Sequence, residues 1–163
     1  MANWCSNWVN VSGDPKSVES FMNEIKELNE ESIKNECGVS PLNPPEDGRY
    51  MFNLYIDNTD GFSFSTKWSP AFDSLRFLTQ KHEVKVTNRY EELGCGIYGE
   101  WYCDTDGETD VYLEDDEIDT VVGVDEDYSI WEFEGEQSDF REDFLSIVLE
   151  RKINGESCKS ENS

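Results

Sequence analysis

The chain predicts an α+β fold: a ferredoxin-like split βαβ sheet with two helices on one face, extended by an acidic β-rich segment and a C-terminal helix. Three observations carry this. Strand-like and helix-like runs alternate as strand, helix, strand, strand, helix, strand up to Cys103, which is two βαβ halves in sequence. Two helix starts are marked by Asp14-Pro15 and Ser69-Pro70. From Asp104 to Asp143 there are eighteen carboxylates and one basic residue, Arg141, which is seventeen of the chain's net −24.

Trp4 to Val11 reads as the first strand, ending at Ser12-Gly13. Asp14 then caps a helix whose Val18, Phe21, Met22, Ile25, Leu28 and Ile33 recur at helical spacing, and which runs to about Glu36. Ser40 to Gly48, rich in proline, is expected to be a flexible connection. Tyr50 to Ile56 and Phe62 to Trp68 form a hairpin across a Gly-containing turn. Ser69 is expected to cap the second helix, with Asp73 three residues on and an apolar stripe of Ala71, Phe72, Leu75 and Leu78. Glu83 to Tyr90 alternates as a strand, and Ile97 to Cys103 pairs with it. Residues 1–103 thus form the core and leave the other sheet face open.

Residues 104–155 read as an extension on the same domain, with short strands at Val111 to Leu113, Ile118 to Val124 and Tyr128 to Phe133. Ser138 starts a helix with Phe140, Phe144, Ile147, Val148 and Arg151 on one face. Residues 156–163 are polar and expected to be a disordered tail. The extension itself is expected to fold, because Tyr112, Val121, Val122, Val124, Tyr128, Trp131 and Phe133 lie within it, and disordered acidic chains are poor in such residues.

Composition narrows the partners. A chain of net −24 is repelled by nucleic acid and by anionic membranes, so neither is expected to bind directly. No run of about 18 apolar residues is present, and Met1 to Val11 lacks the layout of a signal peptide, so a cytoplasmic protein is expected. The five cysteines, Cys5, Cys37, Cys95, Cys103 and Cys158, show no Cys-x-x-Cys pair, and one His82 completes no zinc set. They read as reduced thiols, with room for a pair only at Cys95 and Cys103. No metal and no cofactor are expected.

The opening Met1-Ala2-Asn3-Trp4-Cys5-Ser6-Asn7, the Phe64-Ser65-Thr66-Lys67-Trp68-Ser69-Pro70 segment and the Gly94-Cys95-Gly96-Ile97-Tyr98-Gly99-Glu100-Trp101 segment together resemble the YubB ferredoxin-like domain family of phages and plasmids. The resemblance spans roughly Met1 to Cys103. It implies a ferredoxin-like fold without an iron–sulfur cluster, encoded on mobile elements and acting in the bacterial host cytoplasm. It supplies no catalytic residues. The acidic extension departs from that pattern and points to a specialised role.

Four functions compete. The first is a non-enzymatic acidic inhibitor, encoded by a phage or mobile element, that covers the basic, nucleic-acid-binding surface of a host protein such as a defence nuclease, as a DNA mimic. A chain of this length has a diameter of roughly 40 Å, over which duplex DNA carries roughly 24 charges. The recognition residues are Glu114, Asp115, Asp116, Glu117, Asp119, Asp125, Glu126, Asp127, Glu132, Glu134 and Glu136, with Tyr128 and Trp131 as aromatic anchors. Same-face strand residues lie about 6.6 Å apart, so Glu132, Glu134 and Glu136 are expected to form a regular row. A merely solubilising face explains scattered acids more easily than this density.

The second function is divalent-cation binding at Asp104 to Asp110 or Glu114 to Asp119, although the glycine of the first run sits at the wrong position for a calcium loop. The third is catalysis, for which abundant carboxylates alone are no signal. The protein is therefore expected not to be an enzyme. The fourth is a small-ligand or nucleotide site on the open sheet face, among Trp4, Trp8, Tyr55, Trp68, Tyr98 and Trp101, whose ordinary role is core packing. The sequence leaves room for a homodimer.

Overall fold

The structure, a computed structural model, describes residues 3–125, 127 and 129–155. Two compact units divide the chain, Met1–Asp110 and Val111–Ser163. The expected tail from 156 to 163 lies outside the described residues.

The first unit is built on β1 (Trp4–Ser12), α1 (Pro15–Asn35), β2 (Phe52–Ile56), β3 (Gly61–Lys67), α2 (Phe72–His82), β4 (Lys85–Glu92) and β5 (Ile97–Cys103). With β6 (Glu108–Tyr112) these strands form one sheet in the order β2-β3-β1-β4-β5-β6. Its first four places are the split βαβ order, so the fold is α+β and ferredoxin-like. β1 runs antiparallel to both β3 and β4, with Val9 opposite Phe62 on one side and Asn88 on the other. The last strand lies beyond Cys103, so the sheet extends past the boundary read from the sequence.

Alternation along β1 separates two faces. Cys5, Asn7, Val9 and Val11 point inward and are buried, while Trp4, Trp8 and Asn10 point outward. Phe21, Met22, Ile25 and Leu28 of α1 and Leu75 and Leu78 of α2 join the inward residues in one core, so both helices cover the same face. Each such side chain contributes about 1.5–3 kcal/mol on burial. Trp101 belongs to this core as well, 1% exposed and stacked on Phe72 at 5.1 Å, and is not part of any open-face site.

Local chemistry sets the element ends. Asp14 accepts hydrogen bonds from the Lys16 and Ser17 amides at 3.0 and 3.2 Å, with Pro15 at the first helical position. Ile33, expected in the apolar stripe of α1, is exposed, and the buried stripe of the helix ends at Leu28. Ser69 does not cap α2: its hydroxyl accepts from Arg49 Nε at 2.8 Å, and Ala71 takes the cap position without a side-chain bond. Asp73 instead accepts from the Asp47 amide at 2.9 Å. The proline-rich connection expected to be flexible is tied down by these bonds and by Ser40 to Ser74 at 2.9 Å.

Two polar features sit inside this unit. Beneath the sheet, Asn88 Nδ2 donates to Asn7 Oδ1 at 3.0 Å, and Asn7 Nδ2 donates to the Cys5 carbonyl and to Thr66 Oγ1 at 3.0 and 3.2 Å. All three side chains are fully buried, and they join the three central strands. Nearby, burial pushes the Cys5 thiol up to about 12. Between the helices, Glu24 Oε2 lies 2.7 Å from both Lys81 Nζ and His82 Nε2. His82 therefore has a side-chain partner on α1 in addition to its place at a helix end.

The second unit contains α3 (Asp115–Ile118), β7 (Val122–Gly123), β8 (Trp131–Phe133), β9 (Glu136–Ser138) and α4 (Arg141–Ile153), with β7-β8-β9 as a small antiparallel sheet. The strand expected over Ile118 to Val124 is instead a helical turn and a two-residue strand. Three acids in the first turn of α3 suit the positive end of a helix, and this local effect outweighs the β propensity of Ile and Val. In α4 the buried stripe is Phe144, Leu145, Val148 and Leu149. Phe140 and Ile147 were expected there but are exposed, because the helix starts only at Arg141 and its phase differs. No helix among the described residues is long and apolar enough to cross a membrane.

Two outcomes follow from the polar features. Asn7→Ala leaves the Asn88 amide without its acceptor and costs about 1–3 kcal/mol, read as a lower urea midpoint at unchanged slope. Burial raises the Glu24 carboxyl, but hydrogen bonds from Lys81 and His82 outweigh it and hold the group below its ordinary value of about 4.3. A depressed folded value means stability that is present above about pH 4.3 and is lost as pH falls through the folded value. Glu24→Gln should therefore be less stable at pH 7, with the difference shrinking in urea titrations at progressively lower pH.

Candidate acidic docking surface

The second unit concentrates the charge. From Val111 to Ser163 the sequence holds seventeen carboxylates and four basic residues, a net of −13 in 53 residues, against −11 over the 110 residues before it.

The three basic residues described in this unit are all engaged within it. Arg151 makes a two-pronged pair with Glu134, Nη1 and Nη2 reaching Oε1 and Oε2 at 2.6 and 2.8 Å. Lys152 Nζ pairs with Glu117. Arg141 donates to the Ile118 carbonyl at 3.0 Å and lies 4.7 Å over the Trp131 ring. Adjacent positions of α4 therefore hold α3 on one side and the β8–β9 turn on the other.

The carboxylates divide by role. Glu117 also accepts from the Glu114 amide at 2.8 Å, so it closes the first turn of α3. Burial raises its carboxyl, and the bonds from Lys152 and the Glu114 amide more than offset that, leaving it below the usual range. Asp125 accepts from the Ser129 hydroxyl and from the Ser129 and Ile130 amides at 2.7 and 3.0 Å. Those bonds hold its carboxyl low and shape the turn before β8. Arg151 does the same for Glu134. These three acids, expected as recognition residues, serve the fold.

The expected row of Glu132, Glu134 and Glu136 is not formed. Glu134 and Gly135 occupy a tight turn with φ of +51° and +87°, and the chain reverses between Glu132 on β8 and Glu136 on β9. Glu132 is half-buried and accepts from Gln137 Nε2 at 3.1 Å. A glycine after two acids was the available signal for this turn. Trp131 is likewise half-buried beneath Arg141 and is not an exposed anchor.

Glu114, Asp115, Asp116, Asp119, Asp127 and Glu136 remain solvent-facing. Glu126 and Tyr128 lie outside the described residues. Tyr112 is 48% exposed, with the Lys152 ammonium 5.8 Å from its ring, and offers an aromatic contact beside this surface.

The Asp104 to Asp110 run, weighed above as a cation loop, directs its oxygens elsewhere. Asp104 accepts from the Tyr102 hydroxyl and from the Asp106 and Gly107 amides, closing the turn between β5 and β6. Glu108 takes both prongs of Arg76 at 2.6 and 2.9 Å, and Asp110 accepts from the Tyr90 hydroxyl at 2.7 Å.

The family described as "Ferredoxin-like domain in Api92-like protein" matches residues 51–144, more than half of the chain. No curated protein and no solved structure matches.

Removing the clamp tests its structural role. Arg151→Ala and Lys152→Ala should each cost about 0.2–1 kcal/mol in denaturant unfolding, since both pairs are partly exposed. The loss should shrink in high salt.

Proposed function

We propose a non-enzymatic role for this chain, which belongs to the family of ferredoxin-like domains in Api92-like proteins: its acidic second unit covers a basic, nucleic-acid-binding surface of another protein. One observation carries this reading. The described cations of that unit are all bound to its own carboxylates, carbonyls and rings, so Asp115, Asp119, Asp127 and Glu136 face solvent without an ion-pair partner among the described residues. Like charges held this close oppose compaction, and a partner rich in Arg and Lys relieves that repulsion. Such a field also steers encounter and gives a steep salt dependence.

The resemblance of the opening segment, of Phe64 to Pro70 and of Gly94 to Trp101 to the YubB family supports a phage or plasmid source. A host defence protein, in particular a nuclease, is then the fitting target, met in the bacterial cytoplasm. The unit acts there as a substitute for DNA by charge density and not by a regular carboxylate row. The non-enzymatic reading is supported by the carboxylates with depressed pKa values in this unit, which serve turns and ion pairs.

Full-length protein on a resin, exposed to bacterial lysate at low salt, should retain nucleic-acid-binding proteins that leave with stepped salt or with competing duplex DNA. Joint Asp115→Asn, Asp116→Asn, Asp119→Asn and Glu136→Gln should weaken that capture at least tenfold, about 1.4 kcal/mol, without lowering the unfolding midpoint. Capture that ignores salt and DNA would sink the reading.

A further inference from the structure

We infer that the helix-free face of the first unit's sheet is a binding site for a neutral saccharide of two or three rings, held between Trp8 and Tyr55. The strand register builds the site. Tyr55 on β2 stands opposite Ser63 on β3, and Ser63 stands opposite Trp8 on β1. The two aromatic residues are thus two strand spacings apart, about 10 Å, with only a serine between them. Ser65 and Ser6, paired with each other on the same face, continue that low floor, and all three serines are half-exposed. Trp4 and Phe52 meet edge to face at 5.2 Å and close one end. Trp4, Trp8 and Tyr55 are 44%, 41% and 65% exposed, high for rings of this size outside a contact surface.

Charge decides what fits. In a chain with 37 acids, the outward positions of β1, β2 and β3 that make up this patch carry no carboxylate. Their one cation, Lys67, lies 5.5 Å over the Phe52 ring. On the adjoining strands Arg89, opposite Trp8, faces Glu100 at 3.6 Å, and Glu91 stands opposite Ser6, so the border carries charges of both signs while the patch itself carries no carboxylate. A polyanion such as single-stranded nucleic acid is turned away by the net −24. A basic peptide finds its complement on the carboxylates elsewhere.

Size removes a second copy of the chain and other proteins. The patch spans about 10 by 20 Å, roughly 200 Å², well short of the roughly 800 Å² per partner that a stable protein interface buries. A neutral sugar matches what is left. Its apolar C–H faces lie against flat aromatic rings, and its hydroxyls meet the serine hydroxyls and the Asn10 amide, each of which both donates and accepts. The site does not depend on the acidic surface, and either can fail without the other.

The test uses full-length protein with nitrogen-15-labelled indoles, whose five tryptophan signals are assigned by single Trp→Phe variants. Chitotriose, cellotriose and maltotriose are titrated in turn, with trigalacturonate and a thymidine tetranucleotide as charged comparisons. At least one neutral trisaccharide should shift the Trp8 and Trp4 signals with a Kd of about 1 mM or tighter, leave the core Trp101 signal in place, and exceed both charged ligands. Trp8→Ala and Tyr55→Ala should each weaken binding about tenfold with an unchanged unfolding midpoint, and Ser63→Leu, which fills the floor, should do the same. The inference is overturned if no neutral trisaccharide moves Trp8 by about 10 mM, if charged ligands bind as well, or if the shifts survive Trp8→Ala. It is equally overturned if the Trp8 signal moves with protein concentration alone, which marks self-association.

Discussion

The first unit depends on β1 being held from both sides. Its inward edge joins β3 and β4 through the backbone ladders and, under the sheet, through the Asn88–Asn7–Thr66 chain of side-chain hydrogen bonds. Buried amides have demanding geometry, so a one-residue slip of either neighbour would strand several donors at once. Apolar residues supply most of the stability around this strand, but they would tolerate a shifted register more easily. With β1 fixed, every second residue is assigned to the helix-covered core or to the opposite surface, and the aromatic and serine side chains of that surface take their places.

Charge in the second unit follows a different economy of means. Arg141, Arg151 and Lys152 all lie on α4, and between them they hold two neighbours: Arg141 and Lys152 hold α3, and Arg151 holds the β8–β9 turn. These three cations are enough to organise the segment, and most of its described acids have no ion-pair partner among the described residues. The structural acids, Glu117, Asp125 and Glu134, are paired with α4 or close turns; the solvent-facing ones flank and begin α3 (Glu114, Asp115, Asp116, Asp119) or lie at Asp127 and on β9 at Glu136.

The fold of the first unit was largely legible in the sequence, because its signals are local and redundant. Asp14-Pro15 marks a helix start by backbone chemistry, and alternation along Trp4 to Ser12 marks faces by geometry. The errors are instructive. Ser69-Pro70 has the form of a helix start, but the Ser69 hydroxyl is taken by Arg49, a residue distant in sequence. In the second unit apolar runs are short, so capping by acids decided the conformation of Asp115 to Ile118 against its β-branched neighbours. The Glu132–Glu134–Glu136 alternation looked like a strand because period two says nothing about a turn in its middle. Of the expected recognition residues, Glu114, Asp115, Asp116, Asp119, Asp127 and Glu136 are exposed, as acidic side chains ordinarily are; the structural duties of Glu117, Asp125 and Glu134 could not be read, since each depends on a distant cation or a turn amide. The open-face patch was visible as a list of aromatics, but only strand register shows which of them share a surface.

The position of Cys5 on the central strand has a practical consequence. Fully buried and held in its protonated form, this thiol is chemically silent in the native protein, whereas Cys37 and Cys95 lie at the surface. An alkylating reagent therefore meets two populations of sulfur separated by the opening of the sheet itself. The slow phase of modification at Cys5 is a clock for unzipping the middle of the molecule, built into the chain without any added probe.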